Sequence, residues 1–220
     1  YDLMIARVFQ AVMPVRGKIL NCLKADYATI FKSEIITDLL KVLGCGVEIK
    51  NKHTKDMSAF NLDDLRWNKI IICTDADVDG FQIRTLILAM LYRLTPTLIE
   101  KGYVYVAESP LFEITYRPKG KNAKEETYFA FNEKEKTEIL AKVDPKLCTI
   151  QRSKGLGENE PEMMWKTTMK PKSRRLIKAC PEDAMKTAEI FDLLLGDNLA
   201  GRKLHIEMDG KKYLDMLDLG

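Results

Sequence analysis

Ile70-Ile71-Ile72-Cys73-Thr74-Asp75-Ala76-Asp77-Val78-Asp79-Gly80 runs a short β-branched segment into three alternate carboxylates and a glycine. Three acids this closely spaced repel one another unless a cation holds them, and hard oxygen donors point to magnesium, manganese or calcium rather than zinc. The pattern Asp-x-Asp-x-Asp-Gly also opens a calcium-binding helix-loop-helix. That loop needs a preceding helix and a bidentate Glu at its twelfth position. Counted from Asp75 the twelfth residue is Leu86, and Lys69 to Thr74 has the composition of a strand. The segment therefore reads as a strand whose C-terminal end presents acids to a crevice and feeds a helix, where open α/β sheets place ligands. The plain alternative is an acidic turn with one Asp capping the helix.

Working outward, apolar residues recur at helical spacing from Ile35 to Leu43 and stop at Gly44. Gln82 to Tyr92 predicts an apolar helix on the sheet, and Pro96 opens a further turn or helix toward Gly102. Tyr103 to Ala107 and Leu111 to Ile114 predict two strands around a Ser109-Pro110 turn. The polar run Arg117 to Glu126 marks a hairpin tip or a domain boundary. Beyond it come a strand over Cys148 to Arg152 and then Gln151-Arg152-Ser153-Lys154-Gly155-Leu156-Gly157-Glu158, whose two glycines in a basic setting make a mobile loop. The loop's amides could approach a phosphate, or it could be a plain strand-to-helix turn. Pro161 suits the first turn of a helix whose Met163, Met164 and Trp165 read as core.

Bulk properties bound the function. A chain of 220 residues, 46% hydrophobic, can bury one good core or two small ones, and a net charge of +3 is too balanced to imply a polyanion partner. Charge is informative only locally. Arg16, Lys18 and Lys24 cluster early, and Lys166, Lys170, Lys172, Arg174, Arg175 and Lys178 form a late basic run that reads as a solvated face or a nucleic-acid patch. Cys22, Cys45, Cys73, Cys148 and Cys180 are scattered, with no Cys-x-x-Cys, and His53 and His205 are the two histidines. Reduced thiols, a cytoplasmic location and no structural zinc are expected. No apolar run approaches the length of a membrane span, so no membrane partner is expected. Tyr1 follows no initiator methionine, and the chain is expected to be a piece of a longer one.

These motifs occur in an order that resembles a known family. Gln10-Ala-Val-Met-Pro-Val-Arg-Gly-Lys-Ile-Leu-Asn21, Asp75 to Gly80 with Ile83-Arg84-Thr85-Leu86, Gln151 to Glu158, Trp165 to Met169 with Arg174-Arg175-Leu176, and Phe191 to Asp197 look like the C-terminal half of a bacterial type IIA topoisomerase B subunit, gyrase more than topoisomerase IV. The resemblance implies a Toprim domain, an α/β fold with a parallel sheet flanked by helices, over 1–114, and a smaller α+β tail domain over 115–220. It implies that Asp75, Asp77 and Asp79 are catalytic and bind Mg2+, with Mn2+ or Ca2+ as substitutes. Lys18 and Asn21, with Arg16 beside them, would contact double-stranded DNA. The implied partners are the gyrase A subunit, which carries the nucleophilic tyrosine in an A2B2 complex, and an upstream domain that uses ATP.

Departures from the family accompany the matches. The family's Glu-Gly-x-Ser-Ala motif, whose Glu completes the metal site, would fall shortly before Tyr1, and neither Asp2 nor Glu34 has its flanking residues. The isolated chain is therefore expected to be inactive. Gln82 replaces a usual His, Ser153 a common Tyr, and Ala200-Gly-Arg-Lys203 is looser than the usual Glu-Pro-Arg-Arg. Primases and nucleases with Toprim-like folds would lack the segments after the sheet, and a non-catalytic DNA-binding scaffold would show salt-dependent binding without magnesium chemistry.

Overall fold

The computed structural model describes residues 9–49, 57–120, 124–153, 155–158, 160–181 and 184–216. Tyr1, Asp2, His53 and Lys154 lie outside the described residues. In chain order the main elements are α1 (Tyr27–Lys32), α2 (Glu34–Leu43), β1 (Ile70–Ile72), α3 (Val78–Leu94), α4 (Pro96–Glu100), β2 (Val104–Ala107), β3 (Phe112–Tyr116), β4 (Glu126–Ala130) and α5 (Glu133–Leu140). They continue with β5 (Cys148–Arg152), α6 (Pro161–Met164), a π-turn at Trp165–Met169, β6 (Leu176–Lys178), α7 (Ala184–Leu195) and α8 (Leu199–Asp209). One sheet has the order β1-β2-β6 and contains a parallel pair flanked by helices, and the other has the order β4-β3-β5. The expected α/β architecture is thus present.

The chain divides into two compact units. One comprises residues 1–12, 73–81 and 106–177, and the other 13–72, 82–105 and 178–220. In the first, β3 pairs antiparallel with β4 (Tyr116 opposite Glu126) and with β5 (Tyr116 opposite Cys148). The polar run from Arg117 is therefore the connection of a hairpin. Phe112, Ile114 and Ala130 form its small core, against which Ile139 and Leu140 of α5 pack. Asn132 caps α5 by accepting from the Glu135 amide at 2.8 Å. Arg175 pairs with Glu135 at 2.8 Å and stacks 3.9 Å from the Phe131 ring, and the guanidinium holds the Glu135 carboxyl below its ordinary value. Lys166 pairs with Glu162 at 2.8 Å, so part of the late basic run is engaged with nearby acids.

The second unit holds the larger core, Ile30, Ile36, Leu40, Met90, Leu91, Leu94, Leu98 and Val104 among it. Helix α2 buries Ile36, Leu40 and Leu43, a spacing that places them on one face. It ends where Gly44 takes φ 84° and donates its N–H to Leu40 O at 3.1 Å, a left-handed stop that glycine adopts without strain. Arg93 of α3 stacks 4.5 Å from the Tyr27 ring, donates to Ala25 O at 2.8 Å, and also donates to Cys22 O. Burial of Cys22 pushes its thiol up to about 11, only partly offset by the Arg93 charge.

Three expectations are refined. The helix after the acids starts at Val78 rather than Gln82, so Asp79 stands in its first turn. The strand before the acids is the three residues Ile70–Ile72. The two strands around Ser109-Pro110 do not pair with each other, because β2 lies between β1 and β6 while β3 joins the second sheet.

Candidate metal and DNA site

Asp75 and Asp77 are half-buried and Asp79 is exposed. Asp77 stands directly before α3. Its Oδ1 accepts from the Gly80 amide at 2.7 Å, and its carbonyl accepts from Phe81 N–H at 2.9 Å, which makes it the N-cap. The capping reading and the metal reading are compatible, since capping uses one carboxylate oxygen and leaves a second. Gly80 is buried, and a Cβ there would lie 2.1 Å from the Asp75 carbonyl oxygen. Glycine is thus required for the first turn of α3 to fold back over the acid that precedes it.

Asp75 is held from farther away. Its Oδ1 accepts from the Leu156 amide at 2.7 Å, across 81 residues, and a Cβ on Gly155 would come within 3.5 Å of Oδ2. The loop whose amides could approach a phosphate, or that could be a plain turn, directs one amide at the Asp75 carboxylate. Just before Asp75, the Thr74 carbonyl accepts from Ser109 Oγ at 3.2 Å. Sequence reasoning missed both tethers. Ser109-Pro110 registered only as chain punctuation, and a backbone amide has no residue-type signal.

Among the described residues no three or more Asp, Glu, His or Cys side chains gather into a metal cage. The donor chemistry still fits magnesium, which keeps several waters and binds through one or two carboxylates plus substrate phosphates. Asp75 and Asp77 supply two hard carboxylates, each with one oxygen anchored by a backbone N–H. Asp75 and Asp77 would hold the ion, with Asp79 beside them on the first turn of α3.

In the second unit, Lys18, Asn21, Lys24, Gln82, Leu195 and Arg202 line a cavity of about 410 Å³. Arg16 and Lys18 are exposed. Asn21 is occupied within the protein. Its Nδ2 donates to Leu195 O at 2.9 Å, and its Oδ1 accepts from Leu23 N at 3.0 Å. Arg202 donates to Leu193 O at 3.2 Å and to Gly196 O at 2.7 Å. Together these side chains satisfy the carbonyls at the C-terminal end of α7, where a cation is favoured by the helix dipole. Lys24 pairs with Asp197 at 3.1 Å. The loosened Ala200-Gly-Arg-Lys segment thus keeps an arginine with a structural task.

Comparison with known proteins decides the family. The Toprim domain profile matches residues 3–109, and the profile for the DNA gyrase B subunit, carboxyl terminus, matches residues 145–207. The chain belongs to the type IIA topoisomerase B-subunit family. It is 43% identical to the DNA gyrase B subunit of Clostridium acetobutylicum over 96% of its length and 31% of that protein. Against the DNA gyrase B subunit of Synechocystis sp. the identity is 41%, over 97% of the chain and 18% of the relative. The DNA topoisomerase 4 B subunit of Streptococcus pneumoniae serotype 4 is 40% identical over 95% of the chain and 30% of its own length. The chain spans less than a third of each of these topoisomerase subunits. No helix among the described residues is long and apolar enough to cross a membrane.

Proposed function

We propose that this chain is the magnesium-binding DNA cleavage and religation part of a gyrase-type B subunit. It would act in the cytoplasm on double-stranded DNA, with an A-subunit tyrosine as nucleophile, inside an ATP-dependent A2B2 assembly whose ATPase domain is not in these 220 residues. The reading keeps a Toprim part to about residue 114 and a tail beyond it. The observation that carries it is the pair of carboxylates at the strand-to-helix junction, each fixed through one oxygen by a backbone amide.

A magnesium ion held there would supply the positive charge that offsets the scissile phosphate and the leaving 3′-oxygen. Asp75 and Asp77 would hold it, with Asp79 supporting, and Mn2+ or Ca2+ could stand in. Lys18 and Arg16 supply positive charge for DNA phosphates. Asn21, whose side chain also bonds Leu195 O and Leu23 N–H, is proposed with Lys18 and Arg16 as a DNA contact. A topoisomerase IV assignment is the second reading, favoured by the 40% identity to the pneumococcal protein.

The test uses the full-length protein assembled with its partner. Asp75→Ala and Asp77→Ala should each abolish Mg2+-dependent DNA cleavage while assembly with the A subunit, followed by gel filtration, persists. Cleavage at the unsubstituted rate in both variants refutes the reading. Relative rates of supercoiling and decatenation decide between gyrase and topoisomerase IV.

A further inference from the structure

We infer that the backbone amide of Leu156 is a positioning group for Asp75, so that the Gly155-Leu156 loop sets the metal affinity of an acid it follows by 81 residues. The inference deepens the metal-site reading above and rests on it. An aspartate among like charges turns about two side-chain bonds, and repulsion drives its carboxylate away from its neighbours. A 2.7 Å bond from an N–H to one oxygen removes that freedom and leaves the second oxygen for a ligand. The backbone on both sides of the bond is also fixed. The Thr74 carbonyl is held by Ser109, and Gly80 packs against the Asp75 main chain. At the loop, the Ser153 amide donates to Leu111 O at 2.9 Å where β5 ends, so the loop leaves the sheet from a defined point. Gly155 lies against the same carboxylate, since a Cβ built on it would meet both Asp75 oxygens at ordinary contact distance, 3.5–3.6 Å. The side chain of Leu156 has no part in the bond; the amide alone does.

That distinction supplies the test. Leu156 is the first residue of a short helical turn, Leu156–Glu158, and the first position of a helical turn is where proline is ordinarily accommodated. Leu156→Pro therefore removes the donor, while Leu156→Ala removes the side chain and keeps it. The full-length protein is titrated with Mn2+, with free ion followed by electron paramagnetic resonance, alongside Asp75→Ala as the reference for a lost ligand. Leu156→Pro should weaken Mn2+ binding about 10-fold, the lower end of what loss of a supporting bond does at metal sites, with Leu156→Ala unchanged. In the assembled enzyme the Mg2+ concentration for half-maximal cleavage should rise by the same factor, with the maximal rate recovered at saturating Mg2+. If the proline variant fails to fold, replacing Leu156 by its α-hydroxy acid exchanges the N–H for oxygen and keeps the side chain. Mn2+ binding that weakens in Asp75→Ala but stays unchanged when the Leu156 donor is removed overturns the inference and leaves the metal reading intact. Binding unchanged in Asp75→Ala overturns the metal reading, and the inference falls with it.

Discussion

Gly80→Ala is the sharpest perturbation the site allows, because it adds one methyl group and alters no charge. The new Cβ would stand 2.1 Å from the Asp75 carbonyl oxygen, 2.7 Å from its carbon and 2.9 Å from its nitrogen. Ordinary contact begins at 3.4 Å, so the Asp75 main chain or the first turn of α3 must yield by more than 1 Å. The obstacle is backbone, so rotating a side chain cannot relieve it. Overpacking of this kind costs about 1–3 kcal/mol, and the better helix propensity of alanine returns at most about 1 kcal/mol. A net loss of about 1–2 kcal/mol lowers the melting temperature by roughly 2–4 °C per kcal/mol in a domain of this size. The effect on chemistry should be larger, since moving a reacting group by about 1 Å can cost on the order of 100-fold in rate. The assay pairs thermal melting with Mg2+-dependent DNA cleavage in the assembled enzyme. Gly157→Ala is the control, because nothing lies within 4 Å of its added Cβ. A Gly80→Ala enzyme that melts no lower and cuts DNA within twofold of the parent refutes the argument.

Asp77 carries two tasks that substitution separates. Asp77→Asn keeps an oxygen for the Gly80 amide and should melt near the parent, whereas Asp77→Ala should lose about 1 kcal/mol of capping; both should depress Mg2+-dependent cleavage. Equal melting of the two would show that the cap contributes nothing. In the second unit, Asn21→Ala removes two hydrogen bonds and should cost about 1–2 kcal/mol, read by melting, while leaving the salt dependence of DNA binding unaltered. Lys18→Ala should instead lower the slope of log affinity against log salt by about 1 with little change in melting. A fall in DNA affinity for Asn21→Ala at unaltered slope would mark Asn21 as a direct but neutral DNA contact, and unchanged affinity would refute the contact.

Local chemistry was legible wherever local chemistry decides. Helix α2 starts one residue before its apolar repeat and stops before Gly44, and β5 spans the expected Cys148–Arg152, because periodicity and a left-handed glycine are properties of adjacent residues. The apolar pattern places the start of α3 four residues late, at Gln82 rather than Val78. The apolar signal begins beyond Gly80, whereas the cap at Asp77 and the close packing of Gly80 carry the helix back to Val78. The sheet partners of β2 and β3 were not legible, since Ser109-Pro110 is a turn between sheets and pairing across many residues leaves no mark in either strand. At the site, the residue types announced themselves through the Asp triplet. Their supports did not. Leu156 contributes only a main-chain N–H, and Asn21 and Arg202 are polar residues whose partners are carbonyls of a helix end.

The 81-residue span between Asp75 and its amide donor also sets an order in time. On a ribosome adding about 5–20 residues per second, Asp75 is made roughly 4–16 seconds before Leu156. Through that interval the capped start of α3 can form from its own residues, but the Asp75 carboxylate has no tether. A truncated product ending before Ser153 would carry all three acids and their cap, yet lack the bond that orients the first of them. The Asp75 carboxylate therefore gains its tether only in a chain translated past Leu156.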